Sequence, residues 1–233
     1  MTFAYPRTDG IVSYKNPKGE EIGREGFTIH RLPTGRVTRA WCEMDEKNLV
    51  RDATWSLDEN WLPIDGFVRV SLGGRIAGQC AYRFEGHNKV YCDSHGTPGP
   101  ISGHMSQVLT SDKPYQFLGL HPLVADGQIC AVRGATAPGE QRSINAITCS
   151  YSPDGETGLT GLPIEIKVIY YGPEDVTVPA GKFKAEKFGI VWQPQWPPAM
   201  YWVTPDEYVF LKETWSISGL TCELSSLRVT GAN

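Results

Sequence analysis

Residues 164–192, IEIKVIYYGPEDVTVPAGKFKAEKFGIVW, contain the clearest strand pattern in the chain. Apolar and polar residues alternate, and Val, Ile and Tyr dominate, as is typical of a pleated, half-buried sheet surface. We expect Gly181 to take a positive φ at the second of two turns, Gly172-Pro173 and Pro179-Ala180-Gly181. The stretch therefore predicts three extended segments, Ile164–Tyr171, Val176–Val178 and Ala185–Trp192.

The run from Gly172 to Phe183, GPEDVTVPAGKF, is followed by aromatic strands and resembles DUF3108-type proteins. Those proteins are similar in turn to bacterial lipoprotein-carrier folds, in which a curved antiparallel sheet wraps an apolar cavity. The resemblance covers residues 160–225 and lies in the turn chemistry. It implies a carrier-like β fold and specifies no ligand.

The rest of the chain shows short strand patterns at intervals of about eight to fifteen residues, as expected for an antiparallel meander. Gly73-Gly74 predicts a tight hairpin turn, and Pro122–Ala131 is a modest helical candidate. We therefore predict a mainly β fold, a single antiparallel curved sheet or open barrel around a cavity, with at most one or two short helices. Residues 1–25, rich in Gly and Pro, predict an N-terminal irregular arm before a single antiparallel β domain over residues 26–233.

Composition narrows the class of protein. Apolar residues make up 40% of the chain and charged residues 21%, with a formal net charge of −4, which is typical of a globular protein. No basic patch indicates nucleic acid binding, and no run of eighteen apolar residues predicts membrane insertion. Residues 1–20 lack the apolar core of a secretory signal, so we expect a cytoplasmic protein.

The cysteines and aromatic residues bear on the kind of site. Six scattered cysteines without a Cys-x-x-Cys pair predict reduced, buried thiols and no zinc site. Seven Trp and ten Tyr fit either an aromatic core or a cavity lined by aromatic side chains. The second interpretation favours a small hydrophobic molecule as the partner, and the sequence leaves a homo-oligomer open.

Strand alternation supplies the candidate ligand-binding residues. Arg39 and Glu43 share one face of the strand 36–44, and Arg51 lies on the apolar face of the strand 49–57, which we expect to be inner faces. Charged groups on an apolar face need either partners or a role. They form an ion-pair lattice or, alternatively, anchor the polar end of a ligand. The predicted ligand-binding residues are Arg39, Trp41, Glu43, Arg51, Trp55, Tyr82 and His104.

His121 and Asp126 are the candidate catalytic residues, because a carboxylate can orient an imidazole for acid–base chemistry. His104, His121 and Asp126 do not have the spacing of a recognised metal motif, so we predict no metal and no cofactor. The chain also lacks a Gly-x-Ser-x-Gly elbow, a phosphate loop and a dinucleotide fingerprint.

Three functions are compatible with these patterns. The first is binding of a small hydrophobic or aromatic ligand in an enclosed β-sheet cavity. The second is an enzyme, a lyase, isomerase or hydrolase, acting on a small apolar carbonyl compound, with His121 as general base, Asp126 as its orienting group and an arginine facing the oxyanion. The third is a structural or protein-interaction module whose contact is the Trp-Pro loop 192–202.

Overall fold

The computed structural model describes residues 5–96 and 103–231, and fifteen strands in these ranges form one sheet. The strands are β1 (Arg7–Lys15), β2 (Glu21–Leu32), β3 (Gly35–Met44), β4 (Leu49–Asp58), β5 (Pro63–Leu72), β6 (Arg75–Glu85), β7 (Lys89–His95), β8 (His104–Thr110), β9 (Phe117–Gly119), β10 (Gln141–Thr148), β11 (Leu162–Val178), β12 (Gly181–Val191), β13 (Ala199–Val203), β14 (Phe210–Thr214) and β15 (Thr221–Thr230). Helix α1 (Leu123–Arg133) and a 3-10 turn (Asp45–Lys47) complete the described structure. The prediction of a mainly β fold with at most one or two short helices is confirmed.

The order of strands across the sheet follows the chain in two runs. From one edge to the other it is β8 to β1 and then β15 to β9, so that pairing of β1 with β15 joins the two halves. All neighbouring strands are antiparallel except β9 and β10. These two are parallel because α1 connects them as a crossover helix. Among the described residues, no helix has the length and apolar character needed to cross a membrane.

The prediction of an irregular arm over residues 1–25 is wrong for most of its length. Strands β1 and β2 occupy Arg7–Lys15 and Glu21–Leu32, while residues 1–4 lie outside the described ranges. The glycines and prolines do not break these strands: the Pro17–Gly19 segment lies in the turn closed by Asn16 and Glu20, and Gly10 lies beneath the ring of Phe27. The arm is therefore the part of the chain that joins the two halves of the sheet.

The segment 164–192 forms two strands rather than three. Strand β11 runs without interruption through Gly172, where a β-bulge takes the place of the predicted break. A bulge absorbs one extra residue and leaves the strand paired on both sides of it. Gly181 has a φ of 141° after a two-residue turn, and Gly73-Gly74 also forms a two-residue turn, as predicted.

The inner face of the curved sheet holds the core. Helix α1 lies against this face, and most of its residues are buried. The edge strand β9 lies against the inner face of β5. A side-chain carbon added at Gly66 of β5 would lie only 2.4 Å from Leu118 of β9. All six cysteines are buried and none forms a disulfide, which confirms the prediction of buried thiols. The sheet thus curls around the helix and around a cavity beside it.

Candidate ligand-binding cavity

A cavity of about 120 Å³ lies on the inner face of the sheet, next to the beginning of α1. Most of its wall is apolar or aromatic. The aromatic lining residues are Tyr14, Phe117, Tyr151, Trp192, Trp196, Tyr201 and Trp215. The lining residues with charged or imidazole side chains are Arg51, His121, Asp126, Asp154 and Glu213. An apolar pocket with a few converging polar groups is the usual form of a small-molecule site.

Arg51 brings a cation to the cavity from β4. Its side chain is buried, and one guanidinium nitrogen donates a hydrogen bond to the carbonyl oxygen of Asp154. Its Nε is also buried and has no hydrogen-bond partner among the described residues. A buried N–H group without an acceptor lowers the stability of the fold, and the Nε group of Arg51 is such a donor.

The 150–156 loop covers Arg51 and His121 from one side of the cavity. Gly155 has a φ of 66°, and a side-chain carbon there would lie 2.6 Å from the His121 ring and 2.8 Å from the Arg51 guanidinium. Only glycine allows so close an approach in that backbone conformation. Lys47 pairs with Asp154 and lies 3.7 Å from Glu156, so the loop is held to the 3-10 turn between β3 and β4.

His121 is held as a neutral imidazole. Burial, and then the nearby Arg51 cation, lower the pKa of His121 to about 4. Its Nε2 lies 3.3 Å from the carbonyl oxygen of Ser150. A carbonyl can only accept a hydrogen bond, so this contact is a hydrogen bond in the tautomer that carries the ring proton on Nε2 and leaves the lone pair of Nδ1 free. The backbone of Pro153 also interacts with the ring.

Two carboxyl groups of the cavity have pKa values above their ordinary values, whereas the pKa of His121 is lowered. Burial, and then the nearby Glu213, raise the pKa of Asp126 well above its usual range. Burial also raises the pKa of Glu213 to about 7. Tyr201 makes a long hydrogen bond, 3.5 Å, to Asp126 Oδ2. We refer to His121, Asp126 and Glu213 as the inner cluster, whose members are driven towards their uncharged forms by burial.

Glu25 on β2 fixes the beginning of α1 and hence the position of Asp126. Its carboxylate accepts hydrogen bonds from the amides of Leu123 (2.7 Å) and Val124 (3.0 Å), the first residues of the helix. The Tyr14 hydroxyl donates a third hydrogen bond at 2.8 Å. Burial raises the pKa of Glu25, and these three donors act against that effect.

The structure brings together only some of the predicted site residues. Arg51, His121 and Asp126 line the same cavity, but the hydrogen bonds of His121 and Asp126 go to Ser150 and Tyr201 rather than to each other. Among the described hydrogen bonds, no direct pair links the predicted base and its orienting carboxylate.

Trp55 and Tyr82 are buried on the inner face but lie outside the cavity lining. Trp55 Nε1 donates to Gln128 of α1 at 2.7 Å, and the Tyr82 hydroxyl donates to the Thr160 carbonyl at 2.7 Å. Both side chains therefore bind neighbouring elements to the sheet.

The face expected for β3 is wrong. In the middle of β3 the residues that point inwards are small (Thr38, Ala40 and Cys42), and Gln128 of α1 reaches this face to hydrogen-bond Thr38. Arg39, Trp41 and Glu43 consequently lie on the outer face. Arg39 and Trp41 line a separate outer groove of about 590 Å³, and Glu43 pairs with Arg24 at 2.7 Å.

His104, also predicted to bind the ligand, is not among the residues that line the cavity. It is exposed on the outer face of β8, where its Nε2 lies 3.1 Å from Asp93.

Sequence reasoning missed Glu213 and Trp196 in the cavity wall, and Glu25, which holds the beginning of α1 beside the cavity. Glu25 and Glu213 each alternate with apolar residues, Glu25 with Phe27 and Glu213 with Leu211, so the period-two pattern carried a signal for both. Trp196, from the loop assigned to protein contacts, instead lies 5.4 Å from the Trp215 ring in the cavity wall.

Comparisons with known proteins support the fold. No protein-family model matches the chain, and no curated protein matches its sequence. The structure is similar to a beta-barrel-like protein of the domain of unknown function DUF1849 from Brucella abortus, with a TM-score of 0.56 and 10% identity, covering 97% of this chain and 98% of that chain. A DUF1089 family protein from Pseudomonas aeruginosa has a TM-score of 0.49 and 9% identity, covering 80% of this chain and 87% of that chain. The first similarity shows a shared β-barrel-like fold and leaves the activity open.

Proposed function

We propose that the inner cavity binds a small, mostly apolar ligand that carries one oxygen acceptor, such as an aryl ketone, an aryl aldehyde or a phenol. The observation that carries this proposal is the convergence of Arg51, His121 and Asp126 in a cavity with aromatic walls. The carrier-like β fold implied by the DUF3108-type resemblance supports the same function and stays a prediction.

The volume of the cavity limits the ligand. An engineered apolar cavity of about 150 Å³ admits benzene, so the cavity of about 120 Å³ suits a single ring. The aromatic walls favour a flat ligand, since ring pairs gain from offset or edge contacts. The larger outer groove is lined partly by exposed charged side chains, including Arg39, and is a weaker candidate for an apolar ligand.

The charges of the lining residues determine which polar group of a ligand the cavity can bind. Arg51 is the one lysine or arginine among the described lining residues, and the inner cluster is uncharged at the lower end of the neutral range. A ligand oxygen can accept hydrogen bonds from the guanidinium group of Arg51 and from a protonated Asp126. We therefore expect a ligand with one acceptor at one end and an apolar ring at the other.

Thermal shift and NMR titration with single-ring phenols, benzaldehydes and aryl ketones test this proposal. We expect at least one compound to bind, and a fused two-ring analogue to bind more weakly because of the volume. Arg51→Met should weaken binding by about tenfold or more, since a hydrogen bond from a charged group is lost. Arg69→Met, which removes an exposed arginine paired with Asp52, is the matched control and should bind normally. A panel without any binder, or an Arg51→Met variant with unchanged affinity, would contradict the proposal.

A second candidate function, acid–base catalysis on a carbonyl compound, is favoured by the opposite pKa shifts of His121 and Asp126. When the pKa values of two neighbouring groups are shifted in opposite directions, one group often acts as the base and the other as the acid. His121 Nδ1 would accept a proton from the carbon next to the carbonyl. Arg51 and protonated Asp126 would stabilise the enolate oxygen, and the carbonyl of Ser150 would orient His121 in place of the predicted Asp126.

Hydrogen–deuterium exchange of a bound aryl ketone in D₂O, followed by NMR, distinguishes catalysis from binding alone. We expect His121→Gln to abolish the exchange while the ketone still binds. Exchange that continues at the same rate in this variant would leave only the binding function. The cytoplasmic location, the absence of nucleic acid partners and the possible homo-oligomer stay predictions.

A further inference from the structure

The β7–β8 hairpin carries a second group of histidine and carboxylate side chains on the outer face, away from the cavity. Asp93 and His95 are two residues apart on β7, so they share a face. His104 on β8 is the cross-strand partner of His95, and Ser106 is the partner of Asp93. All four residues are exposed. We refer to Asp93, His95 and His104 as the outer cluster.

The distances within the outer cluster are short. The Nε2 atoms of His95 and His104 lie 3.2 Å and 3.1 Å from Asp93 Oδ1. The two imidazole rings stack with their centroids 4.4 Å apart and an angle of 12° between their planes. One ligand atom from each residue lies within 4.8 Å of the other two. Two nitrogens and one oxygen therefore converge on one point at the surface.

This spacing matches the coordination shell of a small divalent ion. Ligand atoms at about 2.0–2.2 Å from a tetrahedral metal lie about 3.3–3.6 Å from one another. The two nitrogen–oxygen distances of 3.1 and 3.2 Å are close to this value, and the two histidine nitrogens lie within 4.8 Å of each other. We propose that Asp93, His95 and His104 bind a divalent transition-metal ion, with positions left open for water or another ligand.

The donor set selects the kind of metal. Imidazole nitrogen suits zinc, copper, nickel and cobalt, whereas calcium and magnesium prefer all-oxygen sites. Ser106 donates a hydrogen bond of 2.9 Å to Asp93 Oδ2 and so fixes the carboxylate. The residues of β6 that face Asp93 and His95 are Ala81 and Gln79, which bring no charge to the cluster from that side.

Isothermal titration calorimetry with Zn²⁺ tests the proposal on the full chain. We expect wild-type protein to bind one Zn²⁺, and Co²⁺ at the same site to give the visible absorption of a low-coordinate ion. His95→Gln and His104→Gln should each weaken Zn²⁺ binding by about 100-fold or more, because each removes a direct ligand. Ser106→Ala should weaken it by about tenfold, as is usual for a residue that orients a ligand.

His87→Gln is the matched control, because His87 is another partly exposed histidine next to a carboxylate, 3.7 Å from Asp58, but has no second histidine beside it. It should bind Zn²⁺ as tightly as wild type. Any of three results would overturn the site: no Zn²⁺ uptake by wild type, normal binding by His95→Gln and His104→Gln, or an equal loss in His87→Gln. The test is independent of the cavity, because it requires no ligand of the inner cluster.

Discussion

The inner cluster and the outer cluster contain the same kinds of side chain but differ in their solvation. The inner cluster has one histidine and two carboxyl groups and is buried, whereas the outer cluster has two histidines and one carboxyl group and is exposed. In the cavity, burial lowers the pKa of His121 to about 4 and raises that of Glu213 to about 7. On the hairpin, the hydrogen bond from His104 lowers the pKa of Asp93. The same chemistry therefore gives uncharged hydrogen-bonding groups inside the sheet and a charged group outside it. The inner cluster suits a neutral organic ligand, and the outer cluster suits a cation.

The largest expected contrast between the two faces comes from removing a carboxylate. Glu25→Ala leaves the amides of Leu123 and Val124 and the Tyr14 hydroxyl without an acceptor. We expect a loss of about 4 kcal/mol in the free energy of unfolding, measured by urea denaturation. Glu43→Ala removes an outer carboxylate paired with Arg24 and should cost about 0.5 kcal/mol. Equal losses would show that burial does not separate the two faces.

The pH dependence of stability is the next largest effect. Folded protein holds a proton on Glu213 up to a pKa of about 7, whereas the unfolded chain releases it near the ordinary value of 4.5. The folded state thus binds more protons in this range, so Glu213 makes stability fall as the pH rises. Glu213→Gln cannot titrate, and its free energy of unfolding should gain about 2 kcal/mol relative to wild type between about pH 5 and about pH 7.

His121 acts in the opposite direction, because its lowered pKa makes stability rise with pH up to its ordinary value of 6.5. Both proteins keep His121, so its effect cancels in the difference between the variant and wild type. A difference that stays constant with pH would mean that Glu213 is ionised in the folded state.

Two glycines covered by aromatic rings provide a third and smaller contrast. A side-chain carbon at Gly10 would lie 2.3 Å from the buried Phe27 ring, and one at Gly26 would lie 2.4 Å from Trp41 on the outer face. Gly10→Ala should cost about 1.5 kcal/mol, since Phe27 has no room to move. Gly26→Ala should cost less than about 0.5 kcal/mol, because Trp41 is 38% exposed and can swing towards solvent. The reverse order of the two losses would contradict the assignment of the faces.

The smallest effect is expected at the outer cluster. His104→Gln should leave the urea midpoint of the chain unchanged in buffer that contains a metal chelator, because the residue is exposed and its ring stacks on another exposed residue, His95. A clear loss of stability would show that the outer cluster is part of the structural framework of the hairpin.

Strand alternation predicts the fold, but of the seven predicted ligand-binding residues only Arg51 lines the cavity. Arg51 alternates with Leu49, Ala53 and Trp55, and this whole face is buried as predicted. On β3 the same method gave the wrong face, because the large aromatic Trp41 covers Gly26 from outside while small residues face α1. The alternation of residues along a strand depends on the size and polarity of each side chain, and it does not indicate which element packs against that side chain.

The contacts that shape the cavity connect distant parts of the chain. The 150–156 loop reaches Arg51 on β4, and Glu25 on β2 caps the helix that carries Asp126. The hairpin of the outer cluster likewise places His104 opposite His95 through strand register. These contacts depend on the order and register of the strands in the sheet, so the spacing of residues along the chain did not predict them.

The most direct test of the difference between the clusters is an NMR titration of the carboxyl carbons of Glu213 and Asp93 in one sample of unliganded protein. We predict a midpoint near pH 7 for Glu213 and a midpoint below the ordinary value of 3.8 for Asp93. Two carboxyl groups that both titrate in the usual acidic range would contradict the claim that burial holds the inner cluster in its uncharged form.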